Sequence, residues 1–331
     1  MHRAIIITTP EHFQRVYPPA IRRELARRVV GAERAHTPAE VVARPELLAD
    51  VEYVFTTWQG PRLDAAFLAA APRLRAVFHA AGTVRGLVTP EFWASGIPIS
   101  NAQVANGLPV ADFAYGQILL ALKGFWRLSR DCRRRGALSP DRLDGPGVAE
   151  ATVGLVSLGG IARALVERLA AHPVRILAHD PYIDASTAAA LGVELVSLEE
   201  VFERGEVVSC HAPLNDQTAG LVTGTLLSRL KRNATFLNTA RGRVVDTAGL
   251  IDVMRARPDL TALLDVTDPE PLPADSPLWS LANVIVSPHI AGSTGRECAL
   301  LARAMIEELD RHLADQPLRW ATSADVVALT T

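Results

Sequence analysis

Lysine is almost missing from this chain. Only Lys123 and Lys231 occur, and the remaining 32 basic side chains are arginine. Acidic residues number 36, so the formal net charge is −2, without the basic excess that marks nucleic-acid binding. Most of the arginines read as surface charge. Cysteine is scarce too: Cys132, Cys210 and Cys298 are odd in number and form no Cys-x-x-Cys pair. That excludes a disulfide framework and a zinc ribbon; no metal site is expected, and a reducing compartment is. No run reaches the roughly 18 apolar residues of a spanning helix, and the short apolar run Ala4-Ile5-Ile6-Ile7 lacks a signal-peptide pattern. A soluble cytoplasmic protein without nucleic-acid or membrane partners is expected. Hydrophobic residues make up 49% and charged residues 21% of 331 positions, ordinary values for two globular domains.

β-branched runs alternate with helical patterns. Residues 4–8, 51–56, 74–78 and 97–100 read as strands, with helices at 21–30 and 64–71. The first helix rests on Ile21, Leu25 and Val29, which recur at spacing four. A long helix is predicted over 108–130, apolar in its first half and arginine-rich in its second, then a loop over 136–149. A second series puts strands at 152–156, 175–178, 207–210, 235–238, 260–264 and 284–286, and helices at 161–171, 246–257 and 295–313. Ser197-Leu198-Glu199-Glu200 opens another helix as a capping box. The alternation predicts an α/β protein with two Rossmann-like or flavodoxin-like parallel-sheet domains.

The strongest local pattern is Val153-Gly154-Leu155-Val156-Ser157-Leu158-Gly159-Gly160-Ile161-Ala162, which leaves a strand and opens a helix. A dinucleotide turn there carries Gly-x-Gly-x-x-Gly or Ala. Gly159 fills the second position and Ala162 the third, while Ser157 replaces the first glycine. Asp180 follows Gly159 by 21 residues at the end of the next strand, where an acid binds ribose hydroxyls and repels a ribose phosphate. NAD is therefore expected rather than NADP. Taken singly, the turn could be free of ligand and Asp180 could be a helix cap; the pair points to a nucleotide.

Ligands of an open parallel sheet bind beyond the carboxyl ends of its strands. There the later strands run into His211-Ala212-Pro213, Thr239-Ala240-Arg241-Gly242-Arg243, Asp265-Val266-Thr267-Asp268-Pro269-Glu270 and Ser287-Pro288-His289-Ile290-Ala291-Gly292. Alone, Arg241 reads as a surface arginine, Glu270 as a solvated acid and His289 as a satisfied loop histidine. Together they bring a cation, acids and an imidazole to one edge.

Over essentially its whole length the chain resembles the NAD-dependent D-isomer-specific 2-hydroxyacid dehydrogenases. The likeness is strongest in the Asn238–Asp246, Asp265–Leu272 and Ser287–Gly292 segments. It implies Arg241, Glu270 and His289 as the catalytic set. It also implies cofactor contacts at Gly159, Gly160, Ile161, Asp180, Ala212, Pro213, Thr218, Thr239, Ala240, Asp265 and Gly292, with Asp265 orienting the nicotinamide end. A discontinuous plan is implied as well: residues 1–100 with 293–331 for the substrate, 101–292 for NAD, an active-site cleft between them, and a homodimer joined through the cofactor domain and its long helix.

In the implied reaction a 2-oxo acid is reduced to a D-2-hydroxy acid. Arg241 forks onto the carboxylate. His289 gives the proton, histidine having a reference pKa of about 6.5. Glu270 pairs with it and favours the imidazolium. Substrate contacts fall to Arg241 and to the loop Ala81, Gly82, Thr83 and Arg85. Three departures stand out. Ser157 replaces a glycine, and Gly160 stands where many members carry a larger, often basic residue near the pyrophosphate. Arg85 stands where an acid is common; it would favour a second anionic group on the substrate, or serve as a structural ion-pair partner. Residues 268–273 tilt the substrate toward glyoxylate or hydroxypyruvate. The alternatives are a non-catalytic NAD-sensing regulator resembling the C-terminal-binding corepressors, a branch acting on formate or phosphite, and an AdoMet enzyme.

Overall fold

The computed structural model describes residues 1–329. The chain divides into two compact units, Met1–Asn106 with the segment from Ser293 onward, and Gly107–Gly292. In the first unit the strands are β1 (His2–Ile7), β2 (Val29–Val30), β3 (Ala35–His36), β4 (Tyr53–Thr56), β5 (Ala76–His79) and β6 (Ile99–Asn101). All pairings between them are parallel, in the order β2-β1-β4-β5-β6, with β3 also against β1. Every residue of β4, β5 and β6 is buried, as befits parallel strands covered on both faces.

The helix predicted over 21–30 is shorter. It runs Pro19–Leu25, and Val29–Val30 pairs with His2 and Arg3 as an edge strand. The chain turns at Gly31, whose φ is 91° and where a Cβ would lie 2.6 Å from the Ala4 carbonyl oxygen; only glycine fits that approach. The helix Cys298–Leu313 lays Leu301, Met305, Ile306 and Leu309 on the core that holds Phe13, Tyr17, Tyr53 and Phe78. The tail then returns to the sheet edge, with Ala321 bridging Ser100 antiparallel. Buried Glu308 secures that return. It accepts hydrogen bonds from Ser100 Oγ at 2.7 Å, Arg319 N at 3.0 Å and Trp320 N at 2.9 Å.

The second unit has a seven-stranded parallel sheet of β7 (Thr152–Val156), β8 (Arg175–His179), β9 (Val193–Leu195), β10 (Val207–Cys210), β11 (Thr235–Asn238), β12 (Thr261–Leu264) and β13 (Val284–Val286). Its order is β13-β12-β11-β10-β7-β8-β9. The direction of travel reverses between β7 and β10, the switch point where doubly wound sheets leave a crevice for ligands. The single helix expected over 108–130 is two helices, Gln103–Leu122 and Phe125–Arg135, because Gly124 takes a left-handed φ of 67° between them. Ser197 caps the helix Leu198–Arg204 in a capping box as predicted. Among the described residues no helix is long and apolar enough to cross a membrane.

Candidate nucleotide and acid–base site

The turn after β7 sits beside the switch point. Ser157 stands at φ 75°, the left-handed region that glycine enters freely and L-residues enter at a cost. Its hydroxyl donates to Asp180 Oδ2 at 3.2 Å, and the Leu158 N–H donates to the same oxygen at 2.8 Å. Asp180 Oδ1 accepts from the Tyr182 N–H at 2.9 Å. The acid at the end of β8 is thus fixed against the turn by three donors. Gly159 caps the helix Gly160–Leu169 without a side chain, and a Cβ on Gly160 would meet nothing within 4 Å. Ala162 is fully buried, which lets helix and sheet approach. The Ile161 side chain packs toward Gly107.

On the next strand ends, β10 and β11, two polar atoms are closed off from solvent without a partner among the described residues: His211 Nδ1 and Thr239 Oγ1. Buried polar atoms are normally hydrogen-bonded, so a polar ligand lying over these ends has donors and acceptors to meet. His211 Nε2 is 2.9 Å from Ser209 Oγ, and burial pushes its pKa down to about 4. Ala212 is buried; the Thr218 hydroxyl donates to the Pro213 carbonyl and accepts from Asn215 N at 2.9 Å, closing the loop on itself. Asn238 braces the following loop, accepting from Ala240 N and donating to the Arg241 carbonyl, both at 3.0 Å. The open glycine turn, the fixed acid and the two orphaned atoms fit a dinucleotide.

Arg241, Glu270, His289 and Asp265 come together at the ends of β11, β12 and β13. Gly242 is the reason the loops can meet, since a Cβ there would lie 1.9 Å from the Thr267 carbonyl oxygen. His289 Nδ1 is 2.6 Å from Glu270 Oε1, and both side chains remain about half exposed. They line a cavity of about 340 Å³ with Thr267 and Trp279. Arg241 is partly buried, its Nη1 donating to the Ala240 carbonyl at 2.7 Å. Burial lowers the pKa of its guanidinium, against the opposing pull of Glu270.

His289 takes φ 55° and its N–H donates to the Asp265 carbonyl at 2.9 Å. The buried Asp265 carboxylate accepts from Ser287 Oγ at 2.6 Å, Ile290 N at 2.9 Å and Ala291 N at 2.8 Å. It therefore braces the histidine loop just ahead of Gly292. Sequence reasoning passed over Ser287, Asn238 and Trp279. The first two carried one signal, a short polar residue at the carboxyl end of a parallel strand.

The expected substrate loop belongs to the other unit. The Ala81 N–H is already bonded to the His79 carbonyl at 2.8 Å, and the Ala81 carbonyl to Ala102 N at 3.0 Å. Arg85 N donates to Thr83 Oγ1 at 3.2 Å. The Arg85 guanidinium donates through Nη2 to the carbonyls of Val327 at 3.1 Å and Ala328 at 3.4 Å. His79, at the end of β5, is buried, its Nδ1 meets no partner among the described residues, and burial lowers its pKa to about 4.

Comparison with known proteins accords with this geometry. Residues 115–291 match the family model described as D-isomer specific 2-hydroxyacid dehydrogenase, NAD binding domain. D-3-phosphoglycerate dehydrogenase of Mycobacterium tuberculosis is 35% identical over 236 residues, covering 70% of this chain and 44% of that protein. The chain thus matches under half the length of that relative. Glyoxylate reductase of Korarchaeum cryptofilum is 32% identical over 250 residues, 75% of each chain. In fold, a phosphoglycerate oxidoreductase from Rhizobium etli superposes with a TM-score of 0.80 at 23% identity, covering 98% of both chains. The chain belongs to the D-isomer specific 2-hydroxyacid dehydrogenase family, and its second unit carries that family's NAD-binding domain.

Proposed function

We propose that this protein is an NAD(H)-dependent oxidoreductase that interconverts a 2-oxo acid and a D-2-hydroxy acid. The observation that carries this is the 2.6 Å His289–Glu270 contact on the sheet edge that also holds Arg241 and the nucleotide turn. With Nδ1 tied to Glu270, Nε2 is the histidine nitrogen left to give a proton to the substrate carbonyl oxygen. Arg241 holds the carboxylate as a planar, permanently charged fork. Asp265 positions His289 through the backbone it braces. Hydride transfer is the chemistry a bound nicotinamide supplies. Asp180 favours NAD over NADP, because a ribose phosphate would meet its carboxylate.

In the other unit the N–H groups of Gly82 and Thr83, which meet no acceptor among the described residues, suit a substrate carboxylate. Those of Ala81 and the Arg85 Nη2 are engaged, which favours a structural role for Arg85. Cytoplasmic residence fits three unpaired thiols. Exposed Leu108, Leu120, Phe125, Leu138 and Leu143 along and after the long helix support a homodimer through that face; a monomeric mass by light scattering would remove it.

The direct test follows oxidation of NADH with glyoxylate, hydroxypyruvate, pyruvate, phenylpyruvate and a phosphorylated oxo acid. Turnover is expected on at least one, with the first two favoured by residues 268–273. A protein that binds NADH and turns over none of them is a sensor instead.

A further inference from the structure

We infer that Arg163 supplies the cationic contact to the cofactor's pyrophosphate in this chain, in place of a basic residue at position 160. The inference rests on the NAD-binding assignment and concerns how this turn carries it out. Gly160 offers no side chain, although the space around it is open. Position 163 lies three residues further along the same helix, Gly160–Leu169, and residues three apart share a face. Helical side chains also lean toward the helix N-terminus, so a long side chain at 163 reaches back to the turn that precedes the helix.

That is where Arg163 lies. Its Nε donates to the Leu158 carbonyl at 3.0 Å, which seats the guanidinium on the turn itself, one residue before Gly159. The terminal nitrogens Nη1 and Nη2 have no hydrogen-bond or acidic partner among the described residues. Arg168, on the next turn, contrasts with it: that guanidinium is taken up by Asp112 and the carbonyls of Ala164 and Leu108. Arg163 is thus partly buried, anchored by one nitrogen and left with two donors beside a helix N-terminus. A helix N-terminus already favours a phosphate, and a guanidinium pre-placed by one bond matches phosphate oxygens with little further loss of freedom. The neighbouring carboxylate, Asp180, is held by Ser157, Leu158 and Tyr182 rather than by this arginine, so the cation is not neutralised from that side.

The test is equilibrium binding, independent of turnover. NADH, ADP-ribose and adenosine are titrated against the wild-type chain, Arg163→Gln, Arg163→Lys and the double variant Gly160→Arg/Arg163→Gln. NADH and ADP-ribose are expected to bind Arg163→Gln about tenfold more weakly, the scale of one lost charge-assisted hydrogen bond. Adenosine, which has no pyrophosphate, keeps its affinity. Arg163→Lys loses less, and Gly160→Arg restores most of the NADH affinity by returning the charge at the other position. NADH affinity in Arg163→Gln within about twofold of wild type, on the tenfold-per-1.4 kcal/mol scale, would overturn the inference, as would a parallel loss on adenosine. A wild-type chain that binds no dinucleotide would instead bring down the cofactor assignment and this contact with it.

Discussion

His289→Ala is expected to lower turnover by about a thousandfold, within the range that general acid–base groups contribute, while NADH affinity stays at the wild-type value. The split follows from position. His289 faces the cavity with Glu270 and Trp279, whereas the nucleotide turn and Asp180 lie at the ends of β7 and β8. Arg241→Ala should lose turnover on a similar scale and also weaken the oxo acid, since the carboxylate then has no fork. Arg241→Lys should recover little, because an ammonium cannot hold two oxygens in one plane. Steady-state kinetics with NADH titrations measure both effects; near-normal turnover in either alanine variant would sink the assigned roles.

Mild acid should destabilise the protein. Burial lowers the His79 pKa from 6.5 to about 4. The unfolded chain therefore takes up a proton on this side chain below pH 6.5 that the folded chain refuses until about pH 4. Stability from the neutral ring is full above pH 6.5 and drains away as pH falls to 4, by on the order of 3 kcal/mol from the shift alone. His211 acts in the same direction, also lowered to about 4 by burial, with a smaller yield because the residue is only partly buried. Against a total stability of roughly 5–15 kcal/mol that loss is large. Carboxylates held low, such as Asp184 at about 2 by Ser186 and Thr187, release their share only at still lower pH. Melting temperatures between pH 7 and pH 4.5 measure the slope, and His79→Gln should flatten it. Equal slopes in wild type and variant would refute the assignment to His79.

Much of the second sheet was legible in the sequence. Strands 152–156, 207–210, 235–238 and 284–286 coincide with β7, β10, β11 and β13, since runs this short and apolar, bounded by turn residues, have few other uses in an α/β chain. The failures are equally physical. Ile21, Leu25 and Val29 all enter one core, so a buried spacing of four could not reveal that the helix stops at Leu25 and that Val29 is a strand. Two-residue strands such as β2 and β3 have no period to detect. At the site, residue types pointed to Arg241, Glu270 and His289, but the Glu270–His289 contact depends on β12 and β13 lying side by side. Ala81 was named as a substrate contact, yet its N–H is bonded to the His79 carbonyl; that bond is set by local backbone path, which residue identity does not encode.

The return of the tail to β6 has a consequence for synthesis. As the chain leaves the ribosome, residues 107–292 emerge as one uninterrupted stretch and can close around their own sheet. The earlier-made unit cannot. The surface formed by Phe13, Tyr17, Tyr53 and Phe78 stays uncovered until Leu301, Met305, Ile306 and Leu309 arrive, and the Glu308 clamp forms only after Arg319 and Trp320 have followed. Residues 1–106 are thus made before 107–292 but finished after them, and in that interval their bare apolar face is open to the non-native contacts that lead to aggregation.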